Sequence, residues 1–344
     1  MKALVKYGPG DGDVEIREVP EPTPQRGRLL VEVGAAGVCG SDLHAWRNTQ
    51  SWPMRLPVVL GHEMAARVVD DGGLQEWSIG QRVVCETAES VCGTCRYCRT
   101  GSYNLCPHRR GYGALADGAF TRLLAVRPEI AHRVPDGVPD EHAALTEPAC
   151  VAYNALVERT RIAPGDLVVV LGAGAIGIMA TQIARIAGAA TIVVLGTPAD
   201  ARRLPVAAEV GASHTLDITQ SDPADTVQQL SGGLGADLVV DATGVSQALQ
   251  QALELVRPLG TIAKIGWGPQ PMNFSLDPLV AKAATVAGSF SHTYTTWERC
   301  LALMASGALR MNPVIGGVHP LAAWERAFED METGQVIKTV LTGF

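Results

Sequence analysis

From residue 1 to about 153 the apolar positions come in short runs broken by Gly and Pro: ALVKY, DVEIREV, LLVEVGAAGV, ARVVD, QRVVCE and FTRLLAV. Runs of this length and punctuation predict short strands in an irregular β-rich domain, with a Cys-rich stretch over about 85–110 as an excursion from it. Around Ala163-Pro164-Gly165-Asp166 the character changes. Buried-strand runs then alternate with helical patterns: LVVVL at 167–171, a helix through Arg185, TIVVL at 191–195, a helix through Val210, and HTLD at 214–217. DLVVD at 237–241, a helix through Val256 and TIAKIG at 261–266 continue the series. This alternation predicts an α/β unit built on a doubly wound parallel sheet. Beyond about Phe290 the pattern gives a helix over TTWERCLALMASG, a Pro/Gly-rich loop, a helix from Ala322 and a last strand, VIKTVL. The expected organisation is a β-rich domain over 1–153, a parallel-sheet domain over 154–291, and a tail over 292–344 that returns to the first.

A length of 344 residues agrees with more than one domain. Gly and Pro make up a sixth of the chain, but 47% of residues are hydrophobic and long aliphatic runs survive, which excludes disorder and collagen-like repeats. No apolar run reaches the roughly 18 residues of a membrane span, and MKALVKYGPG lacks an apolar signal core. The expectation is a soluble cytoplasmic protein without a membrane partner. A net charge of −7 with no Lys/Arg-rich run offers nothing to nucleic acid, so small molecules are the expected partners.

Chemistry enters first with Gly172-Ala173-Gly174-Ala175-Ile176-Gly177, a G-x-G-x-x-G that follows a strand and opens a helix. Gly172 permits a tight turn, Gly174 lets the backbone approach a pyrophosphate, Gly177 allows close helix packing, and the helix start at Ala175 and Ile176 supplies the anion site. A ligand-free glycine turn is the plainer alternative. The second strand ends in Leu195-Gly196-Thr197, without the acid that normally takes the ribose hydroxyls. Asp200 follows in a longer loop, with Arg202 and Arg203 just beyond. Arg203 suits a 2′-phosphate and Asp200 suits the hydroxyls, so the choice between NAD and NADP stays open.

The eight cysteines are unevenly placed. Cys92, Cys95, Cys98 and Cys106 can close a tetrahedral, structural zinc site. The rivals are an iron-sulfur cluster, whose third spacing would be three residues where this chain has seven, and a pair of disulfides, uncommon in an unexported chain. A second, dispersed set is Cys39 within GVCGSDLH, His62 and Glu63 within GHE, and Glu147 within LTEP. Thiolate, imidazole and carboxylate can bind zinc while leaving a position for substrate. Cys85, Cys150 and Cys300 receive no role.

Taken together, GVCGSDLH at 37–44, GHE at 61–63, the four-Cys lobe, DGAF at 117–120, VPDGV at 134–138, EP at 147–148 and GAGAIG resemble the zinc-dependent medium-chain dehydrogenase/reductase superfamily, particularly its sorbitol (polyol) dehydrogenase branch. The resemblance runs over essentially the whole chain. It implies a GroES-like catalytic domain, a Rossmann cofactor domain, an active site in the cleft between them, and two zinc ions per subunit in a homotetramer or homodimer. It makes Cys39, His62, Glu63 and Glu147 the catalytic zinc set, Asp42 the carboxylate that orients the histidine ligand, and Ser41 and His44 a proton relay. It places Thr243, Ile265, Gly266, Trp267, Phe290 and Ser291 along the nicotinamide, with Gly196, Thr197 and Arg203 at the adenosine end. The implied reaction is reversible hydride transfer between a secondary alcohol and NAD or NADP, with an alcohol and its ketone as the substrate pair. Ala45 stands where the polyol branch has tyrosine, and Ser291-His292 where it has an Arg-Tyr pair, which makes His292 a candidate substrate contact. A dehydrogenase for threonine or another amino alcohol is the second enzymatic reading, and a dinucleotide-binding sensor without turnover is the non-enzymatic one.

Overall fold

A computed structural model describes residues 1–268 and 270–344, which form two compact units. One comprises Met1–Glu147, His292–Gly307 and Ile315–Phe344; the other comprises Pro148–Ser291 and Ala308–Val314. The division falls at the start of the helix Thr146–Tyr153, a little before the expected boundary at 153. Residues 308–314 belong to the second unit because Gln182 holds them from both sides: its Nε2 donates to the Arg310 carbonyl (3.0 Å) and its Oε1 accepts the Arg310 N–H (2.8 Å).

The strand Leu29–Gly37 organises the first unit. It pairs antiparallel with Glu63–Asp70, with Leu123–Val126 at its start and with Lys338–Thr342 at its end. Arg82–Cys85 and Ala131–Arg133 extend this sheet on one side, and Ile315–Pro320 closes the other. A smaller sheet joins Val14–Glu18, Lys2–Lys6 and Val58–Val59. Their inward side chains make one core, with Leu4, Leu29, Val31, Met64, Phe120 and Phe328 fully covered. Ile315–Pro320 corrects the loop expected there. Its glycines and terminal proline hide a strand whose positions alternate in exposure and which pairs parallel with Lys338–Thr342. At a sheet edge, such residues cost the ladder little.

The second unit is a six-stranded parallel sheet, in spatial order His214–Asp217, Thr191–Gly196, Leu167–Leu171, Ala236–Asp241, Val256–Lys264 and Thr285–Gly288. All five residues of Leu167–Leu171 are buried, as expected of a strand covered on both faces. The order reverses direction at this strand, so its carboxyl end opens onto the switch-point crevice where such sheets bind ligands. The helix expected through Val256 stops at Leu255, and Val256 already belongs to the next strand, which bulges opposite Ala236. Among the described residues, no helix is long and apolar enough to cross a membrane.

Candidate active site

In the first unit, three donors come together: one ligand atom each from Cys39, His62 and Glu63 lies within 4.8 Å of the other two. Local backbone explains the meeting. Cys39 precedes the short helix Gly40–Trp46, and Asp42 in its first turn accepts the Cys39 N–H (2.9 Å) through Oδ2. The other Asp42 oxygen accepts the Gly61 N–H (3.3 Å), so one buried carboxylate ties the loop of Cys39 to the loop of His62 and Glu63. Asp42 stands 3.9 Å from His62 Nδ1, close enough to act on it by charge. Burial works against a charge on His62, yet Asp42, Cys39 and Glu147 together raise its pKa to about 10.

Glu63 is fully buried, and Lys338 donates to its Oε1 while also donating to the Val38 carbonyl (2.6 Å). Burial disfavours the Lys338 ammonium, but Glu63 and Cys39 hold its pKa above the ordinary lysine value. The second oxygen, Glu63 Oε2, is buried and has no hydrogen-bond partner among the described residues. A Cβ on Gly37 would lie 2.1 Å from that oxygen, so only glycine leaves it room. An orphaned carboxylate oxygen beside a thiol and an imidazole is the donor set a divalent zinc ion needs, and the residues fit it.

Glu147 lies outside this compact set of three. It opens the helix Thr146–Tyr153, is nearly buried, and its Oε1 meets His292 Nε2 at 3.2 Å. His292 is itself buried, and its Nδ1 accepts the Trp297 indole N–H (2.7 Å), so both ring nitrogens face protein. Ser41 and His44 sit one helical turn apart on Gly40–Trp46; Ser41 is half-buried and His44 exposed, its Nδ1 2.8 Å from Thr49 Oγ1.

The four-Cys lobe is equally compact. Its Sγ–Sγ separations include 3.5 Å (Cys95–Cys98), 3.6 Å (Cys92–Cys106) and 4.0 Å (Cys92–Cys98), and all four thiols are free. Four sulfurs about 2.3 Å from one zinc would stand about 3.8 Å apart in a tetrahedron, so the spacing fits the ion and is far too long for disulfides. Backbone N–H groups of Cys95 and Thr94 pull the Cys92 thiol down to about 5, whereas burial and neighbouring thiols push Cys98 up to about 12. Binding a cation would let all four ionise together, which their crowding otherwise disfavours.

In the second unit, Gly172 takes a left-handed turn (φ +96°) after the central strand, and Gly174 caps the helix Ala175–Ile186. A Cβ on Gly177 would fall 1.9 Å from the Gly172 carbonyl, so its packing role is steric. Thr243 lies against the turn, with its Cγ2 2.8 Å from where a Gly172 Cβ would be, and Asp241 fixes it by accepting its N–H (3.0 Å) and hydroxyl (2.9 Å). Ile265 and Gly266 both donate N–H to the Asp241 carbonyl (3.0 Å each), and the Trp267 and Phe290 rings stand 5.8 Å apart. Ser291 has a left-handed backbone (φ +57°). Gly196 ends the second strand and Thr197 follows it, and Asp200 binds both Thr197 and Arg203.

Two residues at the first unit's site escape sequence reasoning. Lys338 gave a faint signal, a lone charge within the apolar VIKTVL. Trp297 gave none, being one more apolar position of a helix.

Residues 175–306 match the zinc-binding dehydrogenase family, and residues 25–136 match the alcohol dehydrogenase GroES-like domain. A sorbitol dehydrogenase of Halalkalibacterium halodurans is 38% identical over 99% of both chains. A D-arabitol-phosphate dehydrogenase of Enterococcus avium is 32% identical over 99% of this chain and 97% of its own. A Sinorhizobium meliloti protein, solved bound to NADP and described as a zinc-binding dehydrogenase, superimposes with a TM-score of 0.90 at 27% identity, over 99% of this chain and 98% of its own. With two family domains in order and end-to-end relatives, the chain belongs to the zinc-dependent medium-chain dehydrogenases, in their polyol branch.

Proposed function

We propose that the chain is a zinc-dependent, NAD(P)-linked dehydrogenase of secondary alcohols, with a sugar alcohol or sugar-derived polyol as substrate. The observation carrying this reading is the Cys39, His62 and Glu63 set with its orphaned carboxylate oxygen, beside a second buried carboxylate, Glu147. Zinc bound by these residues supplies Lewis acidity toward the alcohol oxygen, and a bound nicotinamide supplies the hydride acceptor. Asp42 holds the two ligand loops in register. Ser41 accepts the alcohol proton as it gives up its own hydroxyl proton, which leaves toward water in the direction of the exposed His44, one turn along the helix. Burial raises the Glu63 pKa, and Lys338, donating to its Oε1, partly offsets that rise. The glutamates accept hydrogen bonds from neighbouring substrate hydroxyls, which suits a polyol better than an apolar alcohol. Cys92, Cys95, Cys98 and Cys106 hold a second zinc whose role is structural. The family resemblance suggests a cytoplasmic homodimer or homotetramer, and sedimentation reads its mass directly.

Two measurements test this. Metal analysis should find two zinc ions per chain, and Cys39→Ala should remove one of them and lower kcat/KM on the best polyol by at least about a thousandfold, the loss of several kcal/mol of transition-state stabilisation. A single zinc that survives this change sinks the reading. A panel of polyols, sugar acids and amino alcohols, followed by nicotinamide absorbance, tests the substrate: turnover of threonine without turnover of polyols moves the assignment to an amino alcohol.

A further inference from the structure

Trp297 and His292 form a chain of two hydrogen bonds that ends on Glu147, and the first bond dictates the second. An indole N–H only donates. Its 2.7 Å bond therefore makes His292 Nδ1 an acceptor and leaves the ring proton on Nε2, which faces Glu147 Oε1 at 3.2 Å. A proton on Nδ1 would set two N–H groups against each other. The tautomer is fixed by a neighbour five residues along the chain.

The tryptophan is itself held. It is 1% exposed, on the helix Tyr294–Ala305, and its ring stacks on His132 with centroids 5.5 Å apart and planes 8° from parallel. His132 Nδ1 lies 2.6 Å from Glu298 Oε1, one residue further along the same helix. Trp297 thus cannot rotate without unstacking a buried imidazole, and among the described residues the ring of His292, 2% exposed, hydrogen-bonds to Trp297 and Glu147.

We propose that Trp297 and His292 are positioning residues for Glu147: the indole N–H locks the imidazole as an Nε2–H donor, which commits one glutamate oxygen to the protein and presents the other to the metal group. The inference rests on the functional reading above, in which Glu147 belongs to the zinc site. It gives His292 a role other than substrate contact and assigns one to a tryptophan that the reaction otherwise leaves unused. Residues that orient a ligand in this manner typically set metal affinity by about ten- to a hundredfold.

Nitrogen-15 NMR of histidine-labelled, metal-free protein reads the tautomer directly. His292 should appear as a single Nε2–H species, and Trp297→Phe, which keeps a ring to stack on His132, should release it to a mixture. Chelator competition then reads the catalytic metal. Trp297→Phe and His292→Phe should each weaken it about ten- to a hundredfold and shift the visible d–d bands of the cobalt-substituted protein, leaving the four-Cys metal in place. His292→Gln, whose amide nitrogen replaces Nε2–H without needing a tautomer lock, should restore affinity and make a further Trp297→Phe nearly silent. A Trp297→Phe protein with unchanged tautomer, affinity and cobalt spectrum overturns the proposal, as does one whose loss is equally large in the His292→Gln background. Cys39→Ala is the control: if it too leaves the metal bound, the zinc reading fails, whereas if it alone releases the metal, only the positioning role falls.

Discussion

At the end of the strand Thr191–Gly196 the space a side chain would fill is taken by a residue from further along. A Cβ on Gly196 would lie 2.9 Å from Asp200 Cβ and 3.3 Å from Asp200 Oδ2, so the loop returns a carboxylate to the place where the strand lacks one. That carboxylate accepts the Thr197 N–H (3.0 Å) and hydroxyl (3.1 Å), and Arg203 pairs with its other oxygen at 3.2 Å. Arg203 is thus already engaged by an anion, and an incoming 2′-phosphate would meet Asp200 as well. Vicinal ribose hydroxyls placed here would instead find an acceptor. The expected outcome is higher kcat/KM with NAD than with NADP, a preference that Asp200→Ala shrinks by about tenfold or more, on the scale of a charged hydrogen bond worth ~1.5–3 kcal/mol. Steady-state kinetics with both cofactors checks it; a wild-type preference for NADP would refute it. The candidates Asp200 and Arg203 were legible in the sequence, but the choice between them was not, because it depends on which way a loop folds back.

Among elements, legibility followed how local the cause was. Parallel strands announced themselves as aliphatic runs, and G-x-G-x-x-G announced its turn, since strand, turn and helix start are neighbours in the chain. Ile315–Pro320 did not, because its partner Lys338–Thr342, rather than its own composition, makes it a strand. The ion pair of Lys338 with Glu63 spans 275 positions and exists only because the last strand joins Leu29–Gly37. The glycine turn lends itself to an element-level test. Gly177→Ala places a methyl 1.9 Å from the Gly172 carbonyl, and backbone cannot step aside as a side chain can. Helix and turn must separate, so the variant should lose about 1–3 kcal/mol of stability, as overpacked cores do, and bind NADH at least about tenfold more weakly. Thermal unfolding and fluorescence titration measure the two effects. Wild-type binding by the variant would show that the turn does not hold the dinucleotide.

For the whole molecule, the proposed ligand sites divide between the two units. Every proposed zinc ligand lies within Met1–Glu147, and the glycine turn and its neighbours lie within Pro148–Ser291. Anything bound to the folded form alone stabilises the structure that holds it, by about 2.7 kcal/mol at a hundred times Kd. Zinc and dinucleotide should then protect different parts of the chain. Hydrogen exchange followed by mass spectrometry should show that stripping the metals, or introducing Cys95→Ser, speeds exchange over 92–106 and the strands around Leu29–Gly37 while the parallel sheet keeps its protection. Saturating NAD should slow exchange in Leu167–Leu171, Thr191–Gly196 and Ala236–Asp241 and leave the lobe unchanged. The tail makes this a demanding test: Lys338 belongs to the metal-holding unit although 144 residues of the other unit precede it as Pro148–Ser291. Its amide should therefore follow the metals and ignore NAD. If it responds to NAD as strongly as Leu167–Leu171 does, the chain opens as one cooperative body and the assignment of separate ligands to separate stabilities is wrong.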